Sequence, residues 1–211
     1  LVGVELERPF ADERARVLNL TNEAGVFGTT RLLKNVMGLW IVERCRELWA
    51  GRGWMAQWDE LLAGQDPDRP GEVFIDPDDL RFLAPQDMDQ EVRAALREQG
   101  LSSDHSPREL TRIVLQSLAR RYAAVVRELE DTIGRNIPGV HIVGGGCQNA
   151  FLNQATANAC ARPVLAGPVE ATALGNLMLQ AIGDGVFAKL ESARAAVRAH
   201  TTPSWFLPRA A

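Results

Sequence analysis

The sequence predicts an α/β domain with a mixed sheet flanked by helices and with a helical insertion. Three observations support this fold class. An alternating strand pattern opens the chain, helical periodicities fill its middle, and strand, helix, strand and helix follow one another in the last third. With 211 residues, the chain is long enough to bury a sizeable core in one domain.

The N-terminal part is predicted to be a hairpin followed by a long helix. Residues 1–6 alternate apolar with other side chains, which predicts a half-buried strand. A second short strand is predicted at residues 17–20, antiparallel to the first. Residues 29–49 are predicted to form one helix, because apolar residues recur there at steps of three and four and Gly51 follows.

The middle of the chain is predicted to be mainly helical. A short amphipathic helix is expected at residues 54–64, and an extended Pro- and Asp-rich loop with a short strand at residues 73–75 follows it. Asp87 suits the start of a helix ending near residue 99. The longest helix is predicted over residues 107–133, because a Pro in its first turn precedes a sustained apolar stripe.

The last third predicts a crossover unit with parallel strands. A strand at residues 139–143 runs into three glycines, and a helix is expected at 148–160. A second buried strand at 162–168 and a helix at 171–185 follow, and another helix is predicted at 189–199. Strand, helix and strand at this spacing indicate a right-handed parallel connection.

Composition excludes several classes of protein. The net charge is −4 and no dense basic block occurs, so we expect no nucleic-acid partner. No stretch approaches the roughly 20 apolar residues that span a bilayer, so no membrane association is expected. The start lacks the features of a signal peptide, which favours a cytoplasmic location. It also lacks an initiator Met and opens inside an apparent strand, so we expect the chain to be part of a longer protein.

The sequence predicts no metal site. Cys45, Cys147 and Cys160 are odd in number and widely spaced, which argues against a disulfide framework or a zinc site. The acidic residues at 76–79 are interpreted as turn and cap residues around Pro77, because no calcium-loop pattern follows them.

The glycine run Gly144–Gly146 is the first candidate for a functional site. It follows a predicted strand and precedes a predicted helix, where free backbone N–H groups and the helix dipole can meet an anion. A dinucleotide site would need a third glycine where Asn149 stands, and a P-loop would need a following Lys. These residues alone leave open the interpretation that the glycine run is a turn that binds no ligand.

Longer stretches resemble a known family. They are "TNEAGVFGTTRLLKNVMGLWIVERCRELW", "IDPDDLRFLAPQDM" and "HIVGGGCQNAFLNQATANACARPVLAGPVEATALGNLMLQAIG". Together they resemble the C-terminal domain of FGGY carbohydrate kinases, and the resemblance covers roughly residues 1–208. It implies an actin-like ATPase, ribonuclease-H-like domain that occupies the whole of residues 1–211 as one of two domains closing on ATP and a sugar.

The resemblance also implies an activity for the full-length protein. It would transfer the γ-phosphate of Mg·ATP to the 1-hydroxyl of a ketose, with L-rhamnulose indicated and xylulose or fuculose left open. ATP, Mg²⁺, the sugar and the protein's own N-terminal domain are the expected partners. A non-catalytic actin-like nucleotide-binding module and an NAD-dependent oxidoreductase are the competing interpretations.

The nucleotide residues implied by the resemblance centre on the glycine run. Gly145 matches the position that contacts ATP, and Gly144, Gly146 and Asn149 are its expected helpers. Glu43 occupies a further ATP-contacting position that is usually Gln. A carboxylate there would repel phosphate, so ribose, adenine or solvent is its expected neighbour.

The resemblance implies a sugar contact at Asn35, since an amide both donates and accepts hydrogen bonds. On one helix, Asn35 and Glu43 would lie roughly 12 Å apart along the axis. The catalytic Asp base and the phosphate-gripping hairpin of the family would precede Leu1. This chain is therefore expected to hold neither a catalytic residue nor a metal ligand, and to be inactive alone.

Overall fold

The computed structural model describes residues 1–209. Within that range the chain forms six strands, in two three-stranded sheets, and eight α-helices. The strands are β1 (Val2–Leu6), β2 (Thr21–Ala24), β3 (Thr30–Lys34), β4 (Val140–Ile142), β5 (Val164–Ala166) and β6 (Ser204–Phe206). The helices are α1 (Glu13–Val17), α2 (Trp40–Gly51), α3 (Trp58–Leu62), α4 (Met88–Glu98), α5 (Pro107–Ile133), α6 (Ala150–Cys160), α7 (Ala171–Gly183) and α8 (Leu190–His200).

The N-terminal sheet has β3 at its centre, antiparallel to both β1 and β2. The predicted hairpin is wrong, because β3 lies between the two strands that were expected to pair. The strand predicted at residues 17–20 is also wrong, since α1 ends at Val17 and β2 begins at Thr21. Asp12 explains the difference: its side chain accepts the Ala15 N–H at 2.7 Å and caps a helix.

The helix predicted over residues 29–49 is wrong in its first half. β3 and the loop after it occupy that half, and α2 begins only at Trp40. The spacing of Leu32 and Leu33 within the apolar pattern suits a helix, but both residues are buried in a strand that pairs on its two sides. Long-range pairing therefore overrides local periodicity. The end of α2 at Gly51 agrees with the prediction.

The two central helices α4 and α5 confirm their predictions. Asp87 caps α4 by accepting the Gln90 N–H at 3.1 Å. The α5 helix begins with a capping box, in which Ser106 Oγ accepts the Glu109 N–H and Glu109 Oε2 accepts the Ser106 N–H. Gly134, with φ of 68°, closes α5 in the left-handed region.

Two smaller predictions in the middle of the chain need correction. The helix expected at residues 54–64 is reduced to α3, whose bounds are Trp58–Leu62. Residues 73–75 form irregular backbone where a strand was predicted. There the Ile75 N–H donates to Ser117 Oγ of α5 at 3.0 Å, so a side chain replaces the strand partner.

The C-terminal sheet confirms the predicted crossover and is mixed. β5 lies at its centre, parallel to β4 and antiparallel to β6. The predicted helices over residues 148–160, 171–185 and 189–199 correspond to α6, α7 and α8. β6 was not predicted, because three residues after Pro203 are too few to show an alternating pattern. Helices α2 to α5 lie between the two sheets in the chain, as the predicted helical insertion requires.

The long helix α5 organises the core. Fourteen of its 27 residues are buried. One apolar cluster joins α5 to α2, α4 and α6, and another, around Val125 and Leu129, joins it to Leu32 of β3. The long helix thus joins the N-terminal sheet to α2, α4 and α6. No helix within residues 1–209 has the length and apolar character needed to cross a membrane.

Asp89 is a carboxylate buried in the helical part of the core, with 3% of its surface exposed. Trp49 donates from Nε1 to its Oδ1 at 2.9 Å, and Arg93 donates from Nε to its Oδ2 at 2.9 Å. Burial by itself would raise the pKa of Asp89, but hydrogen bonds from Arg93 and Trp49 outweigh burial and hold the pKa below its usual value.

Replacing Asp89 by Ala is expected to lower the free energy of unfolding by about 3 kcal/mol, because Arg93 and Trp49 lose a buried partner. Equilibrium urea unfolding measures the loss. The matched control is Asp131→Ala, which removes a 69% exposed carboxylate 3.5 Å from Arg14. The control is expected to cost no more than about 0.5 kcal/mol. Equal losses in the two variants would contradict the assigned role of Asp89.

Stability is expected to fall in acid. A carboxyl group whose pKa is lower in the folded protein stabilises the fold above its unfolded pKa, about 3.9 for Asp, and loses that contribution as the pH falls further. Urea unfolding at a series of pH values between about 5 and 2 should show this decline. Asp89→Asn should reduce the dependence of the free energy of unfolding on pH. An unchanged pH dependence in this variant would show that Asp89 does not contribute to the decline.

Candidate functional site

The glycine run forms a tight turn between β4 and α6. Gly144 has φ of 78° and ψ of −171°, a conformation that side-chain-bearing residues rarely adopt. Its N–H donates to the Pro168 carbonyl at 3.1 Å, and its carbonyl accepts the Cys147 N–H at 3.0 Å. Gly144 therefore holds the turn in shape and ties it to the loop after β5.

The next two glycines present bare backbone to open space. A Cβ added at Gly145 or Gly146 would meet no atom within 4 Å. In the described part of the chain, neither of their N–H groups donates a hydrogen bond to protein. These are the first N–H groups of a short 3-10 turn, so they carry the partial positive charge typical of a helix start.

Asn149 links this turn to α6. Its side-chain Oδ1 accepts the Leu152 N–H at 2.9 Å and caps the helix, and the residue is buried. Asn153, one turn further, donates from Nδ2 to the Cys147 carbonyl at 2.8 Å. Both amides are engaged in supporting the turn, which fixes its position relative to α6.

The glycine turn borders an open cleft of about 1180 Å³. The walls are the start of α2, α3 and the segment after it, the first turns of α6, and residues 205–209, here called the C-terminal tail. Four of the predicted nucleotide-binding residues line this cleft: Glu43, Gly145, Gly146 and Asn149. The free backbone N–H groups of the turn and apolar side chains thus face one shared space.

Glu43 lies on the α2 side of the cleft in a fixed position. Its Oε2 accepts a hydrogen bond from Arg46 at 2.6 Å, and its Oε1 accepts one from Trp58 Nε1 at 3.1 Å. The Arg46 guanidinium also lies 4.7 Å from the centre of the Trp58 ring. Arg46 forms an ion pair with Glu43 and balances the charge of its carboxylate. Glu43 therefore presents a hydrogen-bond acceptor to the cleft in a fixed position.

Gly144 and Asn35 are not among the residues that line the cleft. The expectation that Asn35 and Glu43 share one helix is wrong, because Asn35 lies in the loop between β3 and α2, before the helix begins at Trp40. Asn35 is exposed in that loop. The distance expected from helical geometry therefore does not apply.

A closed ring of polar contacts holds the loop that carries Asn35. Lys34 Nζ, just before Asn35, lies 2.7 Å from Glu128 Oε2, and Glu128 Oε1 accepts from Arg121 at 2.9 Å. Arg121 Nε donates to Asp78 Oδ2 at 2.6 Å, and Asp78 Oδ1 accepts the Met37 N–H at 3.1 Å. The loop is thus fixed on one side of Asn35 by Glu128 of α5 and on the other by Asp78, which Arg121 of α5 holds in place.

Charge pairing in this ring also affects ionisation. Burial by itself would raise the pKa of Glu128, but hydrogen bonds from Lys34 and Arg121 lower it below its usual value. Burial by itself would lower the pKa of Arg121, but its hydrogen bonds to Asp78 and Glu128 raise the pKa above its usual value. Glu128 and Arg121 therefore keep their charges at neutral pH.

The acidic residues at 76–79 act as turn and cap residues. Asp76 accepts the Asp78 N–H at 3.0 Å, and Asp79 accepts the Arg81 N–H at 3.0 Å. Across residues 1–209, no group of three or more His, Cys, Asp or Glu side chains could hold a metal ion. Cys45 and Cys160 are free and buried, and burial raises the pKa of both thiols, that of Cys160 to about 11.

Several residues of the cleft and of the ring were missed by sequence reasoning. Trp58 is half-buried, packs against the core and also borders the cleft, which its helical spacing does not indicate. Arg121 of α5 belongs to the ring, although the helical pattern does not mark it. Phe206 and Leu207 of the C-terminal tail carry no periodic signal and are brought to the cleft only by the pairing of β6 with β5.

Comparison with known proteins yields one family. Residues 1–183 match the model of the C-terminal domain of the FGGY family of carbohydrate kinases. Curated relatives named Rhamnulokinase are similar to the chain. The relative from Bacteroides thetaiotaomicron is 43% identical over 185 residues, which is 88% of this chain and 37% of the relative.

Two further Rhamnulokinase relatives align with most of the chain. The protein of Pectobacterium carotovorum is 44% identical over 92% of the chain and 38% of its own length. The protein of an Enterobacter species is 37% identical over 99% of the chain and 42% of its own length. The chain therefore spans about two fifths of the length of these relatives.

Substitution of neighbouring glycines is expected to separate their roles. Gly144→Ala should lower the free energy of unfolding by about 1–3 kcal/mol, because its backbone conformation excludes a Cβ. Gly145→Ala should change it by less than about 0.5 kcal/mol, since its Cβ would enter open space. Urea unfolding of both variants makes the comparison, and equal losses would show that the turn is not held by Gly144.

Proposed function

The chain belongs to the FGGY family of carbohydrate kinases, and from that premise we propose that it is the C-terminal, nucleotide-binding domain of an L-rhamnulose kinase. Its fold is the actin-like ATPase fold of that family, as the resemblance implied. The full-length protein transfers the γ-phosphate of Mg·ATP to the 1-hydroxyl of L-rhamnulose in the cytoplasm. Support for the sugar comes from the three relatives named Rhamnulokinase.

One observation carries the nucleotide part of the proposal: Gly145 and Gly146 expose backbone N–H groups to a cleft large enough for a nucleotide. A phosphate can approach this backbone closely, because no Cβ stands in the way. The free N–H groups and the start of α6 favour negative charge at the same place. In this arrangement the polyphosphate lies against the glycine turn.

Glu43 then contacts the nucleoside rather than the phosphates. A carboxylate accepts hydrogen bonds and repels phosphate, but the adenine amino group and the ribose hydroxyls are donors. Arg46 and Trp58 each donate one hydrogen bond to a different carboxylate oxygen of Glu43. Each oxygen can still accept a further hydrogen bond from a ligand. The usual Gln of the family could both donate and accept at this position, whereas Glu43 supplies acceptors alone.

Asn35 serves the sugar in this proposal. Its amide can donate to one hydroxyl of a polyol and accept from another. The ring through Glu128 and Arg121 fixes the loop on both sides of Asn35, so the amide is presented from a rigid support. The catalytic base and the second phosphate-binding element belong to the N-terminal domain of the full-length protein.

Mg²⁺ enters the reaction as part of the Mg·ATP substrate. Its role in phosphoryl transfer is to neutralise charge on the β- and γ-phosphates. Residues 1–209 lack an acidic cluster suited to a divalent cation, so no residue of this chain is assigned to it. The contribution of the chain is to bind and orient the nucleotide and one side of the sugar.

The test is a coupled ADP-release assay of the full-length protein with L-rhamnulose, L-fuculose and D-xylulose. L-Rhamnulose is expected to give the highest kcat/KM. Gly145→Val should raise the KM for ATP at least about tenfold, because the side chain fills the phosphate position. Asn35→Ala should raise the KM for the sugar with little effect on the KM for ATP.

Gly51→Val is the matched control, since a Cβ at Gly51 also meets open space but far from the glycine turn in sequence and outside the cleft lining. It should leave both KM values unchanged. The 211-residue chain assayed alone should release no ADP. Absence of ADP release by the full-length protein with every ketose would refute the proposed activity, and a preference for another ketose would refute only the sugar.

A further inference from the structure

We propose that the C-terminal tail forms the base-binding wall of the nucleotide cleft and that Phe206 is the residue against which the adenine ring lies. The inference rests on the proposed function, since it assumes that the cleft binds ATP. The family match ends at residue 183, so the tail lies outside it. Its residues Trp205, Phe206, Leu207 and Arg209 nevertheless border the same cleft as the glycine turn, so two aromatic rings are candidates for the base contact.

Strand register selects Phe206 over its aromatic neighbour. In the pairing of β6 with β5, Phe206 lies opposite Val164 and Trp205 lies opposite Leu165. Neighbouring side chains in a strand point to opposite faces. Val164 is fully buried, so Phe206 shares the inner face of the sheet, whereas Trp205 shares the outer face and is 65% exposed.

The tail is fastened to the elements that line the cleft. Gln154 of α6 donates from Nε2 to the Leu207 carbonyl at 2.8 Å. Asn158, one turn further along α6, accepts the Arg209 N–H at 2.9 Å and donates to Asp68 Oδ1 at 3.0 Å. Arg209 also forms an ion pair with Asp68, in which Nη1 and Oδ2 lie 2.8 Å apart.

This bracing gives the tail a fixed position at the cleft. It connects three separate parts of the chain, namely α6, the segment after α3 and residues beyond β6. Gln154 also lines the cleft, so the contact that holds the tail lies at the cleft itself. A wall held in this way can bind a ligand without first being ordered, which removes an entropic cost from binding.

The chemistry of the lining fits a purine nucleotide. The glycine turn offers donors suited to phosphate, and Glu43 offers an acceptor suited to an amino group or hydroxyls. Trp58 and Leu62 on one side and Phe206 and Leu207 on the other add apolar surface to the same cleft. A flat base with apolar faces and a polar edge can use both kinds of surface.

The experiment compares ATP with inorganic tripolyphosphate, which has no base, in calorimetric titrations of the full-length protein. Phe206→Ala is expected to weaken ATP binding about tenfold, the magnitude of one base–aromatic contact. Binding of tripolyphosphate should stay within about twofold, because the glycine turn is unchanged. Phe206→Tyr should restore most of the ATP affinity, and Trp54→Ala, which removes an exposed aromatic ring outside the cleft lining, should leave it unchanged.

A second variant tests the bracing without altering the aromatic ring. Arg209→Met removes the ion pair with Asp68 and should weaken ATP binding several-fold while sparing tripolyphosphate. Unchanged ATP affinity in Phe206→Ala, or an equal loss for both ligands, would overturn the inference. If wild-type protein binds neither ligand, the proposed function fails instead, so the two failures are distinguishable.

Discussion

The burial of α5 is the constraint on which the other elements depend. One part of its surface packs against α2, α4 and α6, and another against the N-terminal sheet. The glycine turn is attached to α6, and the loop carrying Asn35 is attached to α5 directly through Glu128 and indirectly through Asp78 and Arg121. The relative position of these two candidate contacts is therefore set by the packing of helices, not by the loops themselves.

Local signals in the sequence were sufficient where a segment forms its structure largely with itself. Pro107 marks the start of α5, and Asp87 marks the start of α4. The crossover from β4 through α6 to β5 was predictable for a similar reason, since apolar strands and helices alternate with clear glycine and proline boundaries. In these segments local preference and tertiary structure agree.

Prediction failed where a distant partner decides the conformation. Residues 30–34 fit a helical stripe, yet two strands pair with them. The candidate site shows the same division. The glycine turn and Glu43 were predictable from the resemblance to FGGY kinases, whereas the Arg46 and Trp58 contacts depend on how α3 packs beside α2, which the sequence pattern does not encode.

The ring around Asn35 has a consequence for the response of the protein to salt. Its four side chains are between 13% and 27% exposed. Counter-ions screen charges in solvent much more than charges enclosed by protein. An exposed pair such as Arg14 with Asp131 is therefore expected to weaken as electrolyte is added, whereas the ring around Asn35 is expected to weaken much less.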